Sequence, residues 1–491
     1  MNGPDQAFDK LRPEPAVIGP PLVIDLDGTL LHGDLLQESA LRLLSQSPLQ
    51  TLWLPLWLKD GKARLKQNIA QRVDLDVTTL PFDDRVLAMI DSARRSGRHT
   101  VLCTASDQKY ANEVAAYLGC FDEVLASDGS TNLSARHKAE RLVQRFGAGG
   151  FDYAGNSADD LPVWAAARNA IVVSASASVR AAAARTAQVE LELPPRPAGL
   201  RTWFRALRLH QWLKNLLVFL PLLGAHRIDD WQLLGLSLLA FFAFGLCASS
   251  VYVINDLMDL ESDRRHPRKR RRPFAAGLLS PVAGLAVAAV LLASALALAL
   301  AAGPAFTGWL GVYFAGTVAY TFYLKRKLLL DALSLAGLYT LRIIAGTAAV
   351  GLVLTFWLLA FSLFLFLSLA FLKRYSELVV MLAEGRDAAA GRGYVTQDLP
   401  LVQMLGVGAG FSAVLVLALY LNSENVLRLY RTPELMWLTV PLTLYWISRM
   451  WMQAHRGQMH DDPLVHAVRD RPSLVCGALF VAVLWLGTLP W

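Results

Sequence analysis

The stretch WQLLGLSLLAFFAFGLCASSVYVINDLMDLESD, residues 231–263, decides what kind of protein this is. From Trp231 to Ile254 it contains no Asp, Glu, Lys or Arg. An apolar run of that length matches a helix that crosses the hydrocarbon of a bilayer. The run then stops on three carboxylates, Asp256, Asp259 and Asp263, whose i, i+3, i+7 spacing puts them on one face of a continuing helix. Like charges on one stripe repel unless cations lie between them. Carboxylates with spare water positions suit Mg²⁺, and Mg²⁺ in turn suits a diphosphate. A carboxylate at mid-membrane costs about 2.5–3.5 kcal/mol and less near the interface, so three in register read as a functional site rather than a solvated helix end.

Working toward the C-terminus, a second uncharged run over 280–324 is broken by Gly303-Pro304, which reads as a turn between two helices. Continued in this way, the pattern predicts an all-α membrane bundle of about nine spans, roughly 209–226, 231–254, 281–302, 306–324, 331–351, 355–372, 399–421, 435–453 and 473–491. Lys and Arg concentrate in the loops after the even-numbered spans, seven of them within Arg264–Arg272. The positive-inside rule places those loops in the cytoplasm, and so on one side with the N-terminal region. Between Asp331 and Lys373 the only charge is Arg342, expected to face the bundle interior.

Toward the N-terminus the pattern changes. Residues 1–200 alternate charged and apolar segments, with candidate strands at 21–26, 100–105, 123–126, 151–154 and 170–174, most leading into a helix-like stretch. That is the pattern of a parallel, Rossmann-like α/β sheet. About seventy residues separate the first two strands, too many for a simple crossover, and predict a small helical cap; its Trp53 and Trp57 read as cap core. A proline-rich stretch at 190–199 predicts a linker. The division expected is therefore 1–189, a linker over 190–202, and 203–491. Over the whole chain of 491 residues, 54% hydrophobic and 18% charged composition excludes a wholly soluble enzyme and a disordered chain. The formal charge of +7 sits largely in one loop, so it signals topology and no nucleic-acid partner is expected. Cys103, Cys120, Cys247 and Cys476 follow no C-x-x-C spacing and read as packing residues in a reducing compartment. The polar, acid-bearing start of the chain carries no secretory signal, which keeps the N-terminal domain cytoplasmic.

The chemistry of that domain is concentrated at strand ends. Asp25-Leu26-Asp27-Gly28-Thr29-Leu30 follows the apolar strand Pro-Leu-Val-Ile, and carboxylates at i and i+2 there can share one Mg²⁺ with the help of a backbone carbonyl. Val101-Leu102-Cys103-Thr104, Lys138 and Gly155-Asn156-Ser157-Ala158-Asp159-Asp160 follow in order. This set resembles the haloacid dehalogenase (HAD) superfamily of phosphatases over residues 20–185. The resemblance implies a phospho-aspartyl mechanism with Asp25 as nucleophile and Asp27 as general acid and base. It implies that Thr104 and Lys138 hold the transferring phosphoryl group. The fourth motif usually begins Gly-Asp; with Asn156 in that place, Asp159 or Asp160 is expected to complete the metal site.

The acidic stripe together with Asn255, as N-D-x-x-D-x-x-x-D, resembles the UbiA superfamily of intramembrane prenyltransferases over about residues 200–491. Members use this motif to bind Mg²⁺-diphosphate and to ionise the carbon attached to it. They carry a second acidic motif after span 6, but here that position reads Lys373-Arg374-Tyr375-Ser376-Glu377, cations better suited to an anionic co-substrate such as a lipid phosphate. Further segments are Arg208-Leu209-His210-Gln211-Trp212-Leu213-Lys214-Asn215, Asp263-Arg264-Arg265-His266-Pro267-Arg268-Lys269 running on to Arg272 and Gly277, Tyr320 to Lys325, Asp331, Tyr339 to Arg342, and Met459 to Arg471. Together they look like the decaprenyl-phosphate phosphoribosyltransferase branch, whose donor is phosphoribosyl diphosphate (PRPP) and whose acceptor is a polyprenyl phosphate. By that resemblance Gln211, Lys214, Asn215, Lys325, Arg342, Lys373, Arg374 and Glu377 line the substrates, and Arg264, His266, Lys269 and Arg272 meet the 5-phosphate of PRPP.

The fusion then suggests two successive steps at the cytoplasmic face of a bacterial-type inner membrane. The membrane domain makes a polyprenyl-phosphoryl ribose 5-phosphate, and the HAD domain removes the 5-phosphate to give a cell-envelope sugar donor precursor. Tethering raises the effective concentration of the second site. The alternative is an aromatic prenyltransferase using a polyprenyl diphosphate, with a HAD domain of separate or regulatory function.

Overall fold

A computed structural model of the chain describes residues 19–353, 355–385, 393–459 and 462–489; His460 and Asp461 of the Met459–Arg471 segment lie outside them. Two compact units form. One comprises the chain up to Leu207 together with Val253–Val287, and the other comprises Arg208–Tyr252 with Ala288–Trp491. The acidic stripe and the basic loop therefore pack with the N-terminal domain.

That first unit is organised by six strands, β1 (Leu22–Ile24), β2 (Thr100–Asp107), β3 (Glu123–Ser127), β4 (Asp152–Gly155), β5 (Asn169–Val173) and β6 (Val189–Leu193), all parallel in the order β3-β2-β1-β4-β5-β6. β1 is central, with Val23 in register with Val101 and Tyr153. Its three residues alternate between two cores: Leu22 and Ile24 pack with Leu102, Ile90 and Val114, while Val23 packs with Val101, Leu142 and Trp164 on the other face. Burial on both faces explains why β1 is a continuous apolar run. The strand order reverses beside β1, and in such sheets ligands bind beyond the strand C-termini at that point.

β6 corrects one expectation. Residues 189–193 fall where the linker was expected to begin, yet Ile171 and Val172 pair with Leu191 and Glu192 in a parallel ladder. Val189, Leu191 and Leu193 alternate with Glu190 and Glu192, the period of a strand with one wet face.

Between β1 and β2 the chain forms α1 (Leu35–Gln46), α2 (Leu54–Lys59), α3 (Lys62–Ala70) and α4 (Asp84–Arg95). Asp34 starts α1 by accepting from the Gln37 N–H at 3.0 Å, and Asp83 starts α4 in the same way. The cap has its own small core of Leu43, Ile69 and Val73, against which Leu36, Leu54, Trp57 and Leu65 pack. Trp57 lies there as expected, with the Arg72 guanidinium 4.7 Å above its ring. Trp53 does not; it is 54% exposed. Beyond β2 come α5 (Gln108–Leu118) and α6 (Ala135–Phe146).

Among the described residues five helices are long and apolar enough to cross a membrane: Trp231–Met258, Pro281–Ala302, Leu330–Val350, Phe356–Ala383 and Thr396–Leu421. The helices Pro304–Phe322, Thr439–His455 and Arg471–Leu486 occupy three further expected spans but are not among the five. The first expected span, 209–226, is not one helix: 3₁₀ turns over Leu209–Phe219 give way to the five-residue helix Leu220–Gly224. Pro221, which lacks an N–H, fits only the first turn of a helix and so starts a new one. Gly303 at φ +117° makes the expected break before Pro304. In the second unit helices approach closely through glycine. A Cβ on Gly406 or Gly410 would lie 2.2 Å from Trp451 or 2.7 Å from Ile447.

Candidate active sites

Asp25 leaves the end of β1 into a tight turn that requires Gly28, at φ +75°, where a Cβ would meet the Asn156 side-chain amide at 2.0 Å. The turn, the end of β2 and the loop after β4 thus converge. Asp25 is buried and takes the Lys138 ammonium on Oδ1 at 2.7 Å and the Thr29 hydroxyl on Oδ2 at 3.3 Å. Lys138, from α6, also donates to the Tyr153 hydroxyl at 2.9 Å, which donates in turn to Asp160 Oδ1 at 2.7 Å. Asp27 accepts from the Leu35 N–H at 2.8 Å and from the Ser106 hydroxyl at 2.5 Å.

Burial pushes the Asp25 carboxyl up to about 6, against the pull of Lys138. Burial, joined by the charge of Asp34, pushes Asp27 up to about 7. For Lys138 burial works downward, but Asp25 and Asp160 outweigh it and hold the ammonium above its ordinary range. The folded carboxyls therefore titrate above their unfolded values. Below about pH 4 both states hold the protons and no stability is lost. As the pH rises toward 7 the unfolded chain ionises first and stability falls. Asp27→Asn removes this cost, and with Mg²⁺ chelated it is expected to raise the thermal midpoint at pH 8 by a few degrees, the gain shrinking toward pH 4. Midpoints for the two proteins across that range check this; an Asn variant less stable at pH 8 would refute it.

Two expectations shift at this site. Thr104 is fully buried, and its hydroxyl oxygen accepts from the Ser106 N–H at 3.0 Å. β2 runs two residues beyond the expected strand end, so Ser106, which sequence reasoning passed over, lines the cavity instead. Asp160 Oδ2 is occupied by the Asn156 N–H, the Ser157 N–H and the Ser157 hydroxyl at 3.0–3.1 Å, the work of a helix cap. Asn156 and Asp159 line the cavity. Lys66 of α3 was also missed. Its ammonium crosses from the cap to the Ala105 carbonyl at 2.6 Å and Asn132 Oδ1 at 3.0 Å.

The cavity above these groups holds about 840 Å³, and part of its wall is Arg264 and the segment Gly277–Pro281. Arg264 forks onto Glu38 of α1 with bonds of 2.7 and 2.8 Å, both side chains being less than a tenth exposed. Gly277, at φ +67°, packs on the His32 carbonyl, which a Cβ would approach to 2.2 Å. Arg265 reaches Asp76 at 2.7 Å, and Arg42 reaches Glu261 at 3.0 Å. Arg264 was expected at the PRPP phosphate; the structure engages it with the phosphatase cap. Glu38→Ala strands a buried guanidinium and is expected to cost about 3–5 kcal/mol, whereas Glu38→Leu with Arg264→Met restores most of it. Thermal midpoints and proteolysis of the 264–281 segment measure both, and a double variant as unstable as Glu38→Ala would contradict the pairing.

Along the acidic stripe, the Trp231–Met258 helix breaks at Asp259 and resumes over Leu260–Arg265, though i to i−4 bonds continue across the break. Arg272 lies between two of the acids, 3.1 Å from Asp256 Oδ1 and 2.5 Å from Asp263 Oδ2, with Lys269 4.0 Å from Asp263. This is the cation that a stripe of carboxylates needs. Asp263 Oδ1 is nonetheless buried without a hydrogen-bond partner. Asn255 is half-buried beside them. The His266 ring nitrogen accepts from the N–H groups of Arg268 and Lys269 at 3.2 and 3.4 Å, bracing the loop.

In the second unit Lys214 and Lys373 share Asp462, at 2.8 and 3.4 Å. Burial works to raise the Asp462 carboxyl, but the two ammoniums outweigh it and hold it well below the usual range. Arg342 does face inward, donating to Asn215 Oδ1 at 3.0 Å and to the Tyr313 hydroxyl at 2.9 Å. Arg374 is 1% exposed and is taken up by Asp331, Glu377 and the Tyr320 hydroxyl, so Arg374 and Glu377 brace the helices around them. Gln211 and Lys325 are half-buried.

The model of the UbiA prenyltransferase family matches residues 216–463, just over half of the chain, and that of the haloacid dehalogenase-like hydrolases matches residues 22–165. The chain belongs to the UbiA prenyltransferase family. This UbiA protein carries a HAD hydrolase domain at its N-terminal end, and its five apolar helices make it an integral membrane protein. The y4nM protein of Sinorhizobium fredii is 39% identical over 468 residues, 94% of this chain and 90% of that one. The nodulation protein NoeC of Azorhizobium caulinodans is 40% identical over 56% of this chain and 89% of its own. A decaprenyl-phosphate phosphoribosyltransferase of Mycolicibacterium smegmatis is 32% identical over 58% of this chain and 90% of its own.

Both families generally depend on Mg²⁺. Among the described residues of this UbiA protein no three His, Cys, Asp or Glu side chains are gathered tightly enough to form a metal group by themselves. The residues still fit a cation. Asp263 Oδ1 is a buried acceptor that lacks a donor, and at the HAD site Asp25 and Asn156 converge on one turn.

Proposed function

We propose that this chain transfers 5-phosphoribose from PRPP to a polyprenyl phosphate and then removes the 5-phosphate, giving polyprenyl-phosphoryl ribose. The observation that carries the pairing of steps is the phosphatase cavity, whose wall includes Arg264 and Gly277–Pro281, residues that follow directly on the acidic stripe. The phosphoribosyltransferases among the relatives support the first step.

In the first step Asp256, Asp259 and Asp263, with Asn255, hold the Mg²⁺-diphosphate, and the metal when bound draws charge from the leaving group. Arg272 and Lys269 neutralise the acids and meet phosphate oxygens. The acceptor phosphate oxygen forms the new bond to the anomeric carbon as the bond to diphosphate breaks; Lys214 and Lys373, bridged by Asp462, are cations of the kind that suit a phosphate. In the second step Asp25 attacks the 5-phosphorus while Lys138 balances charge on the phosphoryl oxygens, and the phosphorus–oxygen ester bond breaks. Asp27, whose carboxyl burial pushes up to about 7 and so keeps partly protonated near neutral pH, gives its proton to the ribose oxygen and then takes one from the water that hydrolyses the phospho-aspartyl group. Asp25, the Asp27 backbone and Asn156, with Asp159, would hold Mg²⁺ there, and it would offset charge on the phosphoryl oxygens.

The phosphatase domain is assigned to the chain up to Leu193, where β6 ends, the linker to 194–202 and the transferase to 203–491, with both sites on the cytoplasmic face of the inner membrane. Mass spectrometry of lipids formed by the purified full chain from PRPP, Mg²⁺ and a long-chain polyprenyl phosphate tests the reading. Polyprenyl-phosphoryl ribose is the expected product. Turnover of a polyprenyl diphosphate with an aromatic acceptor, without use of PRPP, would overturn it.

A further inference from the structure

The polar cavity of the HAD site adjoins a second, apolar hollow. A groove of about 590 Å³ runs between the cap helices and the first turns of the Pro281–Ala302 helix, walled by side chains such as Leu44, Leu54, Ile69, Val282 and Leu285. Leu36, Gln37, Leu58, Leu65 and Pro281 line both spaces, so the two lie side by side. The two halves differ sharply in chemistry. The cavity is lined by charges of both signs, Lys62, Lys66 and Arg196 among the cations and Asp25, Asp27 and Asp34 among the acids, whereas the groove has only Gln37 and Thr51 as polar members.

We infer that this groove holds the first isoprene units of the phosphatase substrate, so that the HAD site takes phosphate from a lipid-linked sugar in preference to a free one. The inference rests on the two-step reading above and adds to it the element that selects the lipid. Three observations fix the occupant. Pro281, Val282 and Leu285 begin a helix apolar enough to enter the membrane, so one wall of the groove starts where lipid starts. The cap beside it exposes Leu49, Leu52, Trp53, Leu56 and Leu58, each between 47% and 79% exposed. A row of large apolar side chains on a cytoplasmic domain is costly in water and matches a surface that rests in the interface. Finally, a polar end lined by charges of both signs beside an apolar end complements a polar phosphosugar head on a hydrocarbon chain.

The test compares phosphate release by the full chain from ribose 5-phosphate and from the same phosphosugar linked through phosphate to a ten-carbon or a fifty-carbon isoprenoid. Burying even one isoprene unit predicts kcat/KM about tenfold or more higher for both lipid-linked forms. Leu44→Asn with Leu285→Asn is expected to reduce that ratio about fivefold or more. Equal kcat/KM for free and linked sugars, with phosphate released from both, would overturn the groove and leave the phosphatase reading standing. No release from any of the three would overturn the phosphatase reading itself. The groove is then judged on binding alone, with a polyprenyl phosphate bearing a diazirine on its first isoprene unit. Labelled peptides from residues 36–69 support it, and their absence overturns it.

Discussion

Asp25→Asn is expected to lower phosphate release by about 10⁴-fold or more, and polyprenyl-phosphoryl ribose 5-phosphate then accumulates where the wild type makes the dephosphorylated lipid. The size of the effect follows from position. Asp25 is the acid to which Lys138 and Thr29 are both bonded, at the end of the central strand and at the floor of the cavity. Asn keeps the shape and much of the hydrogen bonding but cannot form the phospho-anhydride. Asp27→Asn, which removes only the proton carrier, is expected to cost less, about 10²–10⁴-fold. Lipid mass spectrometry and phosphate release on the same samples separate the variants. Normal dephosphorylation by Asp25→Asn would remove Asp25 from the chemistry.

The second large effect is expected in the transferase. Asp256→Asn should slow PRPP consumption by about 10²–10³-fold, the range seen when one preorganised electrostatic group is removed from a reacting centre. Asp256 is 2% exposed and shares Arg272 with Asp263. On the proposed reading its loss removes a charge that would bind the metal, and it leaves Arg272 with Asp263 as its one charged partner of the two. PRPP consumption is followed at several Mg²⁺ concentrations. A partial recovery at high Mg²⁺ is expected, because the remaining acids still form a weaker site. Full activity at every concentration would show that the stripe is not where the diphosphate is drawn off.

Local pattern carried much of this into view. The run from Pro21 to Leu30 announces a buried strand followed by a carboxylate turn, and β1 and the Gly28 turn have that form. The uncharged run from Trp231 announces a membrane helix, and that helix is present. What stayed hidden was pairing across long separations. Glu38 and Arg264 are 226 residues apart, and Lys214 and Asp462 are 248 apart; no local period relates either pair. Arg264 therefore read as a contact to the PRPP phosphate although Glu38 takes it up, and Arg374 as a substrate contact although Asp331 claims it. Ser106 stayed hidden for a smaller reason, a strand that continues two residues further than its apolar run. Residues 190–193 read as linker because Glu190, Glu192 and the following prolines outweighed the alternating apolar positions Val189, Leu191 and Leu193 of an edge strand.

The central claim is that one chain performs both steps in order, and PRPP radiolabelled in its 5-phosphate tests it most directly. Incubated with the full chain, Mg²⁺ and polyprenyl phosphate, the label should enter the lipid fraction first and then leave it as inorganic phosphate, with no second protein added. In Asp25→Asn it should enter the lipid and stay there. Label released as inorganic phosphate without ever passing through the lipid, or held in the wild-type lipid indefinitely, would contradict the account.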